Sequence, residues 1–347
     1  MAVTKGVNNL NNNYNYNCKL NTSLNLNNDE NKENKINLNN NYFIKNNGNK
    51  IPENKNKIFK KNLIKRKEIN SSKTEFRNNP LDEYDDLIMK NLFLDEIKNR
   101  PNYNQINQLF SKKDLEIRIT CINLIISISE NFNFKQETIY LTINIFDRCF
   151  PQIKVNNNLD KIKIFVLSCI FIASKYEEIY PPFLEDYLDL LNFSKEEIFK
   201  LENFILDKIN FELHICSPYL FLTKFFYSNS KKEKTDILYL AQLILDISTI
   251  SIEFCEHNPS FQAVICLYLS RYIFYKNKNE IKLWTKDDEF MTGYSELEIK
   301  KNAKFTYTKI KEFFSGILVK DYTITGIYKK YNSDKYLNIA KILRNLF

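Results

Sequence analysis

The chain has 347 residues, 44% of them hydrophobic, and a formal net charge of +8. That supports at least one sizeable core, while only five glycines argue against a hairpin-rich β protein. Residues 1–80 hold 15 Lys/Arg against 6 Asp/Glu, leaving 35 against 36 in residues 81–347, so no basic nucleic-acid footprint is expected on the folded part.

Asn fills 20 of the first 50 positions, and such a segment cannot bury enough apolar surface to offset its ordering entropy. Residues 1–80 are therefore expected to form a mostly disordered basic tail. No signal-peptide pattern opens the chain, and the longest apolar run, Ile164 to Ala173, is about half a membrane span. A soluble protein of nucleus and cytoplasm is expected, with no membrane partner. The seven cysteines show no metal-ligand spacing and lie mostly in apolar runs, which reads as buried, reduced thiols.

Hydrophobic periodicity begins at Leu81 and predicts an all-α protein. The first helix, Asp82 to Lys98, and a linker occupy residues 81–113. Asp114 to Asn131 follows, with Asp114 as N-cap, and then Lys135 to Phe150. Asp160 to Tyr176 is apolar on every face, which places it at the centre of a bundle. Pro181 and Pro182 precede a short helix to Leu191, and Ser194 to Asn210 opens with a Ser194-x-x-Glu197 capping box. A second series starts at Ser217-Pro218: Ser217–Tyr227, Thr235–Phe254, the apolar Pro259–Tyr275, a short Ile281–Met291, and Ser295–Phe314 with Ser295-x-x-Glu298. Each half thus has a central apolar helix, then a short one, then a Ser-capped one. A duplicated five-helix domain, 114–216 and 217–347, is expected.

No glycine-rich phosphate cradle occurs, and the two histidines, His214 and His257, lie in different halves. No constellation for catalysis, metal or cofactor binding stands out, so a non-catalytic protein without cofactor is expected.

Four segments carry a family resemblance. Glu137 to Arg148 looks like the second helix of the cyclin box. Ala173-Ser-Lys-Tyr-Glu-Glu-Ile-Tyr-Pro-Pro182 is close to a verbatim match to the end of its third helix, and Leu201 to Leu213 resembles its fifth. Ile117-Arg118 stands where the family usually has Met-Arg. Tyr84–Leu92, Trp284–Leu297 and Tyr328–Tyr336 extend the similarity to A- and B-type (mitotic) cyclins over roughly residues 84–340. The resemblance implies two tandem cyclin folds. It also implies a regulatory subunit that binds and allosterically activates a cyclin-dependent protein kinase in mitotic cell-cycle control.

It assigns roles residue by residue. Lys175 and Glu202 would contact the kinase, with Tyr176, Ile172, Leu206 and Phe211 as apolar surface beside them. Arg118 and Asp147 would form a buried ion pair. A docking patch for Arg-x-Leu substrates would map to Ile117, Cys121, Leu124, Ser127 and Lys163, but the family's Trp and Glu are missing there and Lys163 adds a repulsive charge. Weak docking is expected. Lys32-Glu33-Asn34 matches a degron that would engage ubiquitin-ligase machinery, and Lys55–Lys67 reads equally as a nuclear import signal or a solvated basic linker. Two other readings of the same fold remain open, a transcription regulator and a scaffold without kinase activation.

Overall fold

A computed structural model describes residues 80–153, 158–188, 193–228, 233–275 and 282–346. The expectations for residues 1–79, including Lys32, Glu33, Asn34 and the basic run, lie outside the described residues. Within them the regular structure is helical, and none is strand.

The first half contains α1 (Pro80–Asp95), α2 (Tyr103–Leu109), α3 (Lys112–Asn131), α4 (Gln136–Cys149), α5 (Leu159–Glu177), α6 (Leu184–Leu188) and α7 (Lys195–Lys208). The second contains α8 (Pro218–Tyr227), α9 (Thr235–Thr249), α10 (Ile252–Cys255), α11 (Pro259–Phe274), α12 (Lys286–Thr292) and α13 (Glu296–Phe314). Two short helices follow, α14 (Gly326–Tyr331) and α15 (Ile339–Arg344).

The two helices without a polar face take the two central places. In α5 every residue from Ile164 to Ser174 is buried, and α3, α4 and α7 pack around it. In α11 burial runs unbroken from Pro259 to Arg271, with α8, α9 and α13 around it. The buried side chains of both halves belong to one continuous cluster.

Helix starts follow local chemistry. Ser194 and Glu197 close the expected capping box on α7. Ser217 caps α8 with Pro218 in its first turn. Ser295 accepts from the Glu298 N–H at the head of α13. At α3 the expected cap is corrected: Ser111 is the N-cap, and Asp114 is the third residue of its capping box, its carboxylate accepting from the Ser111 N–H at 2.9 Å. Gly293, at φ +80°, ends α12 in the left-handed conformation that glycine adopts freely.

Four helices, α2, α10, α14 and α15, escaped the sequence reading. The linker holds α2, which packs on α10. The Thr235–Phe254 helix is two helices, broken at Ile250-Ser251. After α13 the chain returns to the first half, where α14 lies on α3. A Cβ on Gly326 would fall 2.5 Å from Ser127 Oγ, 2.7 Å from Asn123 O and 2.8 Å from Ser127 N, so this crossing needs glycine.

A buried polar knot fastens the return. Asp246 of α9 accepts from Tyr140 OH of α4 (2.6 Å) and from Tyr331 OH (2.9 Å) and Lys330 Nζ (2.8 Å) of α14. Lys330 also donates to Gln136 Oε1 at 2.9 Å and is 3% exposed. Burial, with the Asp246 anion beside them, pushes the Tyr140 and Tyr331 phenols well above their usual range, so both stay protonated donors.

Gly326→Ala is expected to lower unfolding stability by about 1–3 kcal/mol, because two of the three blocking atoms are main chain and cannot rotate away. Urea denaturation followed by circular dichroism measures this; an unchanged midpoint would contradict the close crossing.

Candidate functional site

Arg118 on α3 is fully buried. Its Nε and Nη2 donate to the two carboxylate oxygens of Asp147 on α4, each at 2.8 Å. Its Nη1 donates to the carbonyls of Thr249 (3.1 Å) and Ile250 (2.9 Å), where α9 ends. Tyr103 OH adds a bond to Asp147 at 3.0 Å. Burial alone would lower the guanidinium pKa, but the charge of Asp147 and its hydrogen bonds overcome this and raise it. A bidentate pair whose Nη1 donates to main-chain carbonyls and whose Nη2 also reaches Cys255 Sγ at 3.8 Å meets the condition under which a buried ion pair is tolerated. The same contacts account for the break after α9: carbonyls held from outside the helix no longer need the next turn.

The Ser174-Lys-Tyr-Glu-Glu178 segment ends α5, and four of its five residues are anchored. Ser174 Oγ is buried and accepts from Tyr187 OH of α6 at 2.7 Å. Lys175 forms an ion pair with Glu202 of α7, and its ammonium lies 4.1 Å from the centre of the Phe171 ring. The Glu177 carbonyl accepts from Lys135 Nζ at 3.2 Å. Glu178 accepts from the Lys135 N–H at 2.8 Å, capping α4 from outside, since Lys135 supplies no side-chain cap of its own. Tyr176 is half exposed.

Beyond this anchored end, Ile179, Tyr180 and Phe183 are 75%, 91% and 79% exposed. On α7, Phe199, Glu202 and Leu206 recur at spacings of three and four and so share one face. Phe199 is exposed and Leu206 half-buried. Phe211, just past the helix, is 65% exposed. Large exposed apolar side chains concentrated on two adjoining elements mark a contact surface more readily than a solvated one.

Two expectations need correction. Ile172 is 3% exposed, because a helix surrounded on all sides turns that position into the core; it supports the surface from beneath. Cys121 is 2% exposed, on the inward stripe with Arg118, Ile122 and Ile125, and so belongs to the core rather than to a docking patch. Of the other patch positions, Ile117, Leu124 and Ser127 are half-buried, Ser127 lies against Gly326, and Lys163 pairs with Asp160 at 3.4 Å. The sequence reading missed Ile179, Tyr180, Phe183 and Phe199. Ile179, Tyr180 and Phe183 had a signal in the unbroken apolar and aromatic content around Pro181-Pro182, whereas Phe199 had none beyond its helical spacing from Glu202 and Leu206.

Among the described residues no cluster of His, Cys, Asp or Glu could hold a metal, and no helix is long and apolar enough to cross a membrane. The six cysteines there are free and buried; burial pushes Cys149 up to about 12 and Cys216 and Cys255 to about 11, away from reactive thiolate. His257 packs edge-on between Phe254 and Phe261.

Comparison with known proteins agrees with this architecture. The Cyclin, N-terminal domain family matches residues 87–214, and the Cyclin, C-terminal domain family matches residues 216–345. Cyclin-A1-4 of Oryza sativa subsp. japonica is 27% identical over 259 residues, covering 73% of this chain and 70% of that protein. Cyclin-B2-3 of Arabidopsis thaliana is 26% identical over 243 residues, 70% of this chain and 53% of that one. The chain thus spans about half the length of several curated relatives it matches. A viral cyclin from herpesvirus saimiri superposes with a TM-score of 0.55 at 16% identity, over 65% of this chain and 97% of that one, and shares the fold. The chain belongs to the cyclin family. Cyclins are regulatory partners of protein kinases, not catalysts.

Arg118→Met is expected to cost about 3–5 kcal/mol, because Asp147 is left buried without its cation. The double change Arg118→Met, Asp147→Leu should recover part of that loss in the same thermal unfolding experiment. A single variant as stable as the wild type would show that the pair carries no such weight.

Proposed function

We propose that this chain binds a cyclin-dependent protein kinase and activates it allosterically in mitotic cell-cycle control. The observation that carries this reading is the Lys175–Glu202 ion pair, which joins the two elements that expose Tyr176, Ile179, Tyr180, Phe183, Phe199 and Phe211. An apolar centre with a few charges at its rim is what a specific interface uses. The anchoring of Ser174, Lys175, Glu177 and Glu178 keeps this surface rigid. A rigid surface that fits the active kinase conformation better than the inactive one shifts the equilibrium between them, and only such differential affinity can do so. In kinases the helix whose Glu pairs with the ATP-site Lys must be held inward, and this surface would supply that hold. The chain itself performs no chemistry.

The full chain, used as bait in cell extract, is expected to capture a protein kinase active on a serine/threonine substrate. The double reversal Lys175→Glu, Glu202→Lys keeps an internal ion pair, and with it the fold, but presents opposite charges at each position. It is expected to capture none. Equal capture by the reversed chain, with circular dichroism showing both folded, would remove the interface from this surface.

Substrate docking through the α3 row is expected to be weak. Cys121 is buried, Ser127 is backed by Gly326, and Lys163 repels an arginine. A fluorescent peptide bearing Arg-x-Leu should show no saturable binding to the chain in polarisation measurements; micromolar affinity would restore the patch.

A further inference from the structure

Phe211 is costly twice over in the free chain. The residue is 65% exposed, and its backbone sits at φ +56°, directly after Asn210 at φ +52°. Asn tolerates the left-handed region because its short polar side chain can bond locally, whereas Phe is disfavoured there by its Cβ. Two successive left-handed residues therefore need support from outside the turn.

The end of α7 shows where part of the support comes from. The Phe211 N–H donates to Leu206 O at 2.9 Å, and the Asn210 N–H donates to Asp207 O at 3.2 Å. These two bonds form the paired closure that usually ends a helix at glycine, with Asn210 in the glycine's place. The closure also brings the backbone of Phe211 back over the turn that carries Leu206, so two of the apolar members of the expected surface hang on it.

Arg148 of α4 supplies the rest. Its Nη2 donates to Ile209 O at 3.0 Å and its Nη1 to Glu212 O at 2.7 Å. These carbonyls flank Asn210-Phe211 on either side. Among the described residues no carboxylate pairs with Arg148, so its fork is directed at main chain alone. A planar guanidinium with two donors at fixed spacing can hold both carbonyls at once; a lysine ammonium is a point donor on a flexible stem. Arg148 stands next to Asp147, so one turn of α4 fixes the core through Asp147 and the α7 end through Arg148.

We infer that Arg148 is a positioning residue for the kinase-facing surface: it clamps the carbonyls on both sides of the left-handed turn and so presents the Phe211 ring. This rests on the kinase-binding reading above. An exposed aromatic held in a strained conformation has little packing return within the chain; pre-organisation for a partner is the return, because a group already fixed in its bound geometry loses less freedom on binding.

The test uses the full chain with Arg148→Met, Arg148→Lys, Phe211→Ala, the double change Arg148→Met, Phe211→Ala, and the double change Arg148→Met, Asn210→Gly. Amide hydrogen exchange of the free chain reads the turn, and calorimetric titration with a purified cyclin-dependent kinase reads the surface. Arg148→Met is expected to speed exchange at Phe211 and Glu212 by about tenfold while leaving α3 and α5 protected. Kinase affinity is expected to fall about tenfold, with Arg148→Lys only partly better. In the Phe211→Ala background the same change should cost less than about twofold, since the ring it positions is gone. Asn210→Gly should return part of the affinity by easing the left-handed turn. Equal losses with and without the Phe211 ring, or unchanged exchange in the turn, would overturn the proposal. If the wild-type chain binds no kinase while Arg148→Met still frees the turn, the kinase-binding reading fails and the anchoring by Arg148 stands.

Discussion

The guanidinium of Arg118 reaches four protein oxygens: two on Asp147 and two on the main chain where α9 ends. The first two lock α3 to α4 within the first half. The other two lock that pair to the second half and stop α9 where it stops. Because a buried cation without partners is far costlier than an imperfect apolar contact, these directions are close to obligatory. The two halves are therefore not free to slide as two apolar bundles would, and α5, packed on α3 and α4, inherits the constraint. The exposed end of α5 follows directly on the stretch Ile164–Ser174 that is buried in that frame.

The knot around Asp246 and Lys330 repeats the logic at a second place. It joins α4, α9 and α14 through one carboxylate, one ammonium, two phenols and an amide. Its bonds join positions 84 to 194 residues apart, yet the donors and acceptors match. Such a network ties register as well as stability, since any shift of α14 along α3 would strand Lys330 in the core.

How far the residues announced this depended on the range of the interaction. The all-round apolar content of Ile162–Ile172 and Phe261–Leu269 placed α5 and α11 at the two centres, because no polar face was available to solvent. Ser194 and Ser217 marked their helix starts by bonds three residues away. The errors arose where distant groups decide. The break at Ile250 depends on Arg118, more than 130 residues earlier; the cap at Ser111 is the exception, a local pair read three positions late. Burial of Ile172 and exposure of Tyr180 are settled by what packs on the end of α5, which local pattern does not contain. The Arg-Asp pair was reached by resemblance, but its main-chain partners were not, since any residue could have supplied those carbonyls.

The crossing of α14 over α3 sets the order in which the molecule can be finished. As the chain emerges from the ribosome, α3, α4 and α9 appear long before Gly326 and Lys330. Until then Asp246 lacks its cation, and the Ser127 side of α3 lacks its cover. The amino-terminal half, which carries the exposed Tyr176 and Phe211, is thus closed by a segment made after every helix of the second half. A nascent chain interrupted before α14 holds an unfinished version of both halves rather than one complete module. The frame beneath that surface is therefore closed only once α14 has been made and laid on α3 and α9.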